Sequence, residues 1–145
     1  MTLRNGREFL AIPGPTTVPD AVLNAMHRPA VDIYKGSLVE LTASCLADLK
    51  RVFRTEAGRT YIYAANGHGA WEAALTNTLS RGDKVLVLGT GLFAPAWGEL
   101  ADFLGLQVEI LPFGYRAAVD PAAVEDRLRA DSGGEIKAVM VVQVD

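Results

Sequence analysis

The spacing of hydrophobic positions along this chain changes character near its middle. Between 37 and 53, Leu38, Leu41, Cys45, Leu46, Leu49, Val52 and Phe53 recur at three- and four-residue steps, which predicts a helix with one buried stripe. Cys45 lies on that stripe and is expected to be a core thiol. Ahead of this helix, Pro13, Pro15 and Pro19 remove backbone donors and forbid a helix, so 9–19 is expected to be an extended arm. Asp20 is then expected to cap a short helix carrying Val22, Leu23 and Met26.

After Gly58 the pattern becomes one of short apolar runs separated by glycine turns. Residues 61–64 (Tyr-Ile-Tyr-Ala) predict a strand, and Ala65-Asn66-Gly67-His68-Gly69 a tight turn. A helix beginning near Ala70 would place Trp71, Ala74, Leu75, Thr78 and Leu79 on one face and end before Gly82. Residues 84–88 form an almost continuous apolar run, as expected of a strand covered on both faces. Gly89-Thr90-Gly91-Leu92-Phe93 reads as a loop, and Pro95 opens a helix with the stripe Trp97, Leu100, Ala101 and Leu104. A strand at 107–111 follows, then Asp120-Pro121 as cap and first helical residue of a helix to about 130. Ser132-Gly133-Gly134 ends it, and 136–144 predicts the last strand. The order β-α-β-α-β-α-β predicts an α/β fold with a mostly parallel sheet, right-handed crossovers and helices on both faces. The expected division is an extended arm over 1–20 and an incomplete α/β domain over 21–145, with no internal repeat.

Composition narrows the partners. The 145 residues carry a formal charge of −3 with no long run of either sign, which argues against nucleic acid. One cysteine excludes an internal disulfide and points to a reducing compartment. The polar start, with Arg4, Arg7 and Glu8, is unlike a signal peptide, and no apolar run approaches a membrane span, so a cytoplasmic location is expected. The chain stops at Asp145 directly after a buried-type strand, which leads us to expect a truncation.

The turn after Ala64 offers the first chemistry. In parallel α/β folds ligands sit beyond the C-terminal ends of strands. Gly67 and Gly69 leave backbone N–H groups accessible to an anion, and the following helix adds the positive end of its dipole. Asn66 and His68 can donate side-chain hydrogen bonds to the same anion. Tight geometry alone would explain the glycines equally well. The segment lacks Gly-Lys-Ser/Thr, so it is no P-loop, and Glu72 stands where the dinucleotide fingerprint would need a third glycine. Phe93, on the next loop at the same sheet edge, could stack on a flat heteroaromatic cofactor or fold back on the core. His27, beside Arg28 and Pro29, has no visible partner and reads as structural or exposed.

Four segments carry a resemblance. They are Ile12-Pro13-Gly14-Pro15-Thr16, the run from Ala65 through Asn66-Gly67-His68-Gly69-Ala70-Trp71-Glu72 to Asn77, then Leu79-Ser80-Arg81-Gly82-Asp83-Lys84-Val85, and 137–145. In this order and spacing the sequence resembles the N-terminal portion of the class V, fold-type I aminotransferases dependent on pyridoxal 5′-phosphate (PLP), in the serine–glyoxylate and alanine–glyoxylate group. The resemblance implies the large domain of that fold, and transamination between serine or alanine and glyoxylate or a similar 2-oxo acid. It implies a homodimer, with PLP held by Asn66, Gly67, His68 and Phe93. Asparagine stands where the family commonly has serine, and still offers a donor amide. The Pro-Gly-Pro arm suggests that Gly14 approaches the substrate.

The resemblance also implies what the chain lacks. Transamination on PLP needs a lysine for the Schiff base and a carboxylate on the pyridine nitrogen. Both, with the arginine that clamps the substrate carboxylate, are expected beyond Asp145, so no catalytic residue is assigned and the chain alone is expected to be inactive. Lys35, Lys50, Lys84 and Lys137 all lack the setting of a Schiff-base lysine, and Asp145 is expected near the site without a catalytic role. Two other readings compete. A non-catalytic binding or interaction module of the same fold would stop at Asp145. A nicotinamide-binding domain would need a third glycine in the first turn and an acid ending the next strand, where Leu88-Gly89 stands.

Overall fold

The structure is a computed structural model in which residues 10–145 are described. It divides into two compact units, Met1–Ile62 and Tyr63–Asp145, each described by itself.

In the first unit, residues 10–19 have no regular structure, as three prolines require, and the Gly14–Pro15 bond is cis. Helix α1 spans Asp20–Met26. Its N-cap is Pro19 rather than Asp20, which occupies the first turn, where its charge meets the positive end of the helix dipole. Helix α2 spans Ser37–Val52, close to the extent that the periodic leucines predict. The stripe is nonetheless not buried: Leu41 is 60% exposed and Val52 72%. Cys45 is likewise exposed, contrary to the expected core thiol. Period fixes which residues share a face; burial needs a second surface against that face, and α2 has no buried residue.

In the second unit, helix α3 spans Gly67–Thr78 and strand β1 spans Lys84–Gly89. Helix α4 spans Phe93–Phe103, strand β2 Gln107–Pro112, helix α5 Pro121–Ala130 and strand β3 Ile136–Met140. The three strands form a parallel sheet in the order β2-β1-β3, with Val85 opposite Val108 and Ala138. The central position of β1 explains its unbroken apolar run: Val85, Leu86 and Val87 are fully buried. Successive side chains on β1 point to opposite faces. Val85 and Val87 join Ala94, Ala101, Leu75, Leu106 and Met140 in one core on the α4 side. There Gly98 lets α4 approach so closely that a Cβ would lie 3.2 Å from Val87.

On the other face Glu109, in register with Leu86, is bound by Arg127 from α5 through both guanidinium Nε and a second nitrogen, the latter at 2.6 Å. That hydrogen bond, more than the opposing desolvation, holds the Glu109 carboxyl below its ordinary pKa. The two faces of the sheet therefore meet different helices, as the alternating order predicts. Asp120 caps α5 by accepting from the Ala122 amide at 2.9 Å, with Pro121 at the first helical position.

Two predicted strands differ. Residues 61–64 form no strand: they pair with no neighbour among the described residues, and Tyr61 and Tyr63 are 68% and 65% exposed. Aromatic and β-branched content favours extended backbone, but a strand exists only in a ladder. The last strand ends at Met140, so 141–145 leave the sheet and run on beyond its edge.

Candidate functional site

The parallel sheet brings three segments of the second unit to its C-terminal edge, the loop after β1 and the segments after β2 and β3, with a groove between them. The groove has a volume of about 680 Å³ and is lined by Thr90, Tyr115, Arg116, Gln143 and Asp145 among others. Lys84 and Lys137 begin their strands and so lie at the opposite edge. Each is engaged there, Lys84 with Glu135 at 3.0 Å and Lys137 with the Gly134 carbonyl at 2.7 Å.

The glycine turn opens α3. Asn66 is its N-cap, and Oδ1 accepts from the His68 amide at 3.1 Å and the Gly69 amide at 3.4 Å. This assigns the side-chain oxygen to the helix and leaves the Nδ2 protons for an outside acceptor. The helix starts at Gly67, three residues earlier than the hydrophobic pattern suggests, so Gly67 and His68 lie in its first turn. The two glycines differ in purpose. A Cβ on Gly69 would sit 2.4 Å from the Ala65 Cβ, so this glycine permits the chain to fold tightly into the helix. A Cβ on Gly67 would meet nothing within 4 Å, so the space beside its Cα is open.

That early start has a consequence for the side chains. His68 and Trp71 are three residues apart on one helix and therefore neighbours. Their ring centroids are 4.6 Å apart, edge to face. Trp71 in turn meets Phe93 at 6.1 Å, again edge to face, and stacks on Trp97 at 5.6 Å. Phe93 is the first residue of α4 rather than a loop residue, and it is 45% exposed, not folded into the core. Trp71 was legible only as a packing residue; placed in the first turns of α3, it joins the glycine turn to Phe93 at the start of α4. Gly14 belongs to the first unit, on the arm, with nothing within 4 Å of a built Cβ.

Asp145 is the residue the sequence undervalued. Its carboxylate accepts from the Phe93 amide at 2.5 Å, the Ala94 amide at 3.0 Å and the Thr90 hydroxyl at 3.3 Å. Desolvation pushes its pKa up, but the Ala94 and Phe93 amides and the Thr90 hydroxyl outweigh it and leave the carboxyl below its ordinary value. A ligand with an anionic tail and a flat ring fits this donor set. Open space at Gly67, a helix N-terminus and a side-chain amide suit the anion, and a half-exposed aromatic ring lies one side chain away. Among the described residues no cluster of histidine, cysteine or carboxylate side chains could hold a metal ion, and no helix is long and apolar enough to cross a membrane.

No family model matches the chain. It is 43% identical over 141 residues to the serine–glyoxylate aminotransferase of Methylorubrum extorquens, covering 97% of this chain and 35% of that protein. It is 41% identical to the serine–glyoxylate aminotransferase of Hyphomicrobium methylovorum, over 91% of this chain and 33% of the relative. Among solved structures, the pyridoxamine–pyruvate aminotransferase of Mesorhizobium loti superimposes with a TM-score of 0.72 at 26% identity, over 88% of this chain and 32% of that one. The chain thus spans about a third of the length of the relatives it matches. In sequence and in fold it matches the N-terminal portion of the class V, fold-type I aminotransferases, the serine–glyoxylate and alanine–glyoxylate group.

Proposed function

We propose that this chain supplies the cofactor-holding portion of a PLP-dependent aminotransferase that moves an amino group between serine or alanine and glyoxylate or a similar 2-oxo acid. When bound, the cofactor supplies the electron sink that lets an amino acid lose its α-proton. The residues here would position it. Gly67, at the start of α3, would meet the phosphate with its backbone amide, Asn66 and His68 would add side-chain donors, and Phe93 would lie against the pyridine ring. The observation that carries this reading is the open space at Gly67 in the first turn of α3, joined through His68 and Trp71 to a half-exposed Phe93. Relatives named for glyoxylate as amino acceptor support the substrate class.

The same reading makes the arm expected over 1–20, of which 1–9 lie outside the described residues, carry Gly14 toward the substrate, and makes 21–145 part of a large domain. It places the Schiff-base lysine and the carboxylate for the pyridine nitrogen beyond Asp145, and takes the complete enzyme to be a cytoplasmic homodimer. Asn66→Ala and His68→Ala, separately and together, test the site. We expect both to weaken retention of pyridoxamine 5′-phosphate, by roughly tenfold or more for the pair if two hydrogen bonds to a charged group are lost. Far-ultraviolet circular dichroism should stay unchanged. Unaltered retention in the double variant would remove the phosphate assignment.

A further inference from the structure

Asp145 belongs to a segment that has left the sheet, yet its side chain reaches across to the loop after β1. Both carboxylate oxygens are engaged. Oδ1 accepts from Phe93, while Oδ2 accepts from Ala94 and Thr90. The first residue of α4 is Phe93, and its N-cap, Leu92, offers no side-chain hydrogen bond of its own. The orphan amides of that helix are thus met by a residue more than fifty positions away. Gly91 shows how tightly the two segments meet: a Cβ there would lie 2.6 Å from the Asp145 carboxylate carbon. A chain with any larger residue at 91 would push the carboxylate off the helix.

We infer that Asp145 is a positioning residue, which fixes the Phe93 ring against Trp71, and thereby beside the 66–69 turn, by clamping the first turn of α4. The inference deepens the proposed function, since it concerns the ring assigned there to the pyridine. The carboxylate touches the Phe93 backbone and leaves its ring free. Two charge-assisted hydrogen bonds to adjacent amides set where that backbone starts and so where the ring emerges. The ring's contact with Trp71, and Trp71's with His68, then tie the clamp to the glycine turn. This explains why an acid stands at 145 without asking it to reach the reacting atoms.

The test compares Asp145→Ala, Asp145→Asn and Gly91→Ala with the unaltered protein by amide and aromatic NMR, and by binding of pyridoxamine 5′-phosphate. We expect Asp145→Ala and Gly91→Ala each to shift the Phe93 and Ala94 amides and the Phe93 and Trp71 ring signals. Probe affinity should fall about tenfold with them. Asp145→Asn, keeping one acceptor oxygen, should fall between. Ring signals that stay in place in Asp145→Ala would overturn the inference, as would a loss of affinity without ring movement, since the residue would then act by some route other than position. If the unaltered protein itself binds no probe, the proposed function fails. The clamp is still judged by the ring and amide shifts, which need no ligand.

Discussion

The two glycines of the 65–69 turn separate fold from binding in a way that a pair of substitutions can read. In Gly69→Ala the new Cβ would lie 2.4 Å from the Ala65 Cβ, whereas carbon atoms in good contact stand about 3.5–4.0 Å apart. The obstacle is a Cβ fixed to the backbone, so no rotamer change relieves it and the turn itself must move. Overpacking of this kind costs about 1–3 kcal/mol. Alanine's preference for a helix returns up to about 1 kcal/mol, less in a first turn. A net loss of roughly 1–2 kcal/mol should lower Tm by roughly 4–16 °C for a unit the size of Tyr63–Asp145. Gly67→Ala meets no atom within 4 Å, and Gly67 does not use positive φ, so Tm should hold or rise slightly. Its methyl group, however, enters the open space beside the turn. Affinity for pyridoxamine 5′-phosphate should drop about tenfold to a hundredfold, the worth of one hydrogen bond to a charged group. Thermal melts and equilibrium dialysis on the two variants suffice. Equal melting temperatures for Gly69→Ala and the unaltered protein would refute the close contact, and full affinity in Gly67→Ala would refute the anion seat.

Two further outcomes follow from the same structure. Mixed with PLP and passed through gel filtration, this chain should keep no yellow species. Lys84 and Lys137 are held at the far edge of the sheet from the glycine turn, and a persistent visible absorbance would mean that one of the four lysines does form a Schiff base. Acid should weaken the second unit: the Arg127 hydrogen bond lowers the pKa of Glu109, and the Ile136 amide does the same for Asp131. A carboxyl with a lowered folded pKa contributes its full stability above its ordinary unfolded value and loses it as pH falls through the folded one. Tm should therefore fall on acidification below the ordinary carboxylate range, and Glu109→Gln should flatten that dependence; an unchanged pH profile in the variant would contradict the assignment.

Much of the second unit was legible because each signal there is local. Asp120-Pro121 names a helix start, and the almost continuous apolar run from Lys84 to Leu88 suggests a strand covered on both faces, as β1 is from Val85 to Leu88. Where the prediction failed, the missing information was a partner. Residues 61–64 have the composition of a strand but pair with no neighbour among the described residues, and the α2 stripe, with Cys45 on it, has the right period but no buried residue. The site shows the same split. The turn and Phe93 stand out in the sequence, since glycine pairs and loop aromatics are visible one residue at a time. The role of Trp71 depends on α3 starting at Gly67, because a start near Ala70 hides its relation to His68. Asp145 was expected near the site, but its contacts could not be read: the donors from Thr90, Phe93 and Ala94 lie more than fifty residues earlier in the chain, and only parallel pairing of β1 with β3 brings them within reach.

The proposed function depends most on where an anionic cofactor tail docks, and the amide signals of Gly67, His68 and Gly69 report that directly. Titration with pyridoxamine 5′-phosphate, which cannot form a Schiff base with lysine, should move those three signals together with the ring protons of Phe93. Pyridoxamine, lacking the phosphate, should leave the amides nearly still. Amide shifts gathered instead around Arg116, or equal responses to the two compounds, would contradict it.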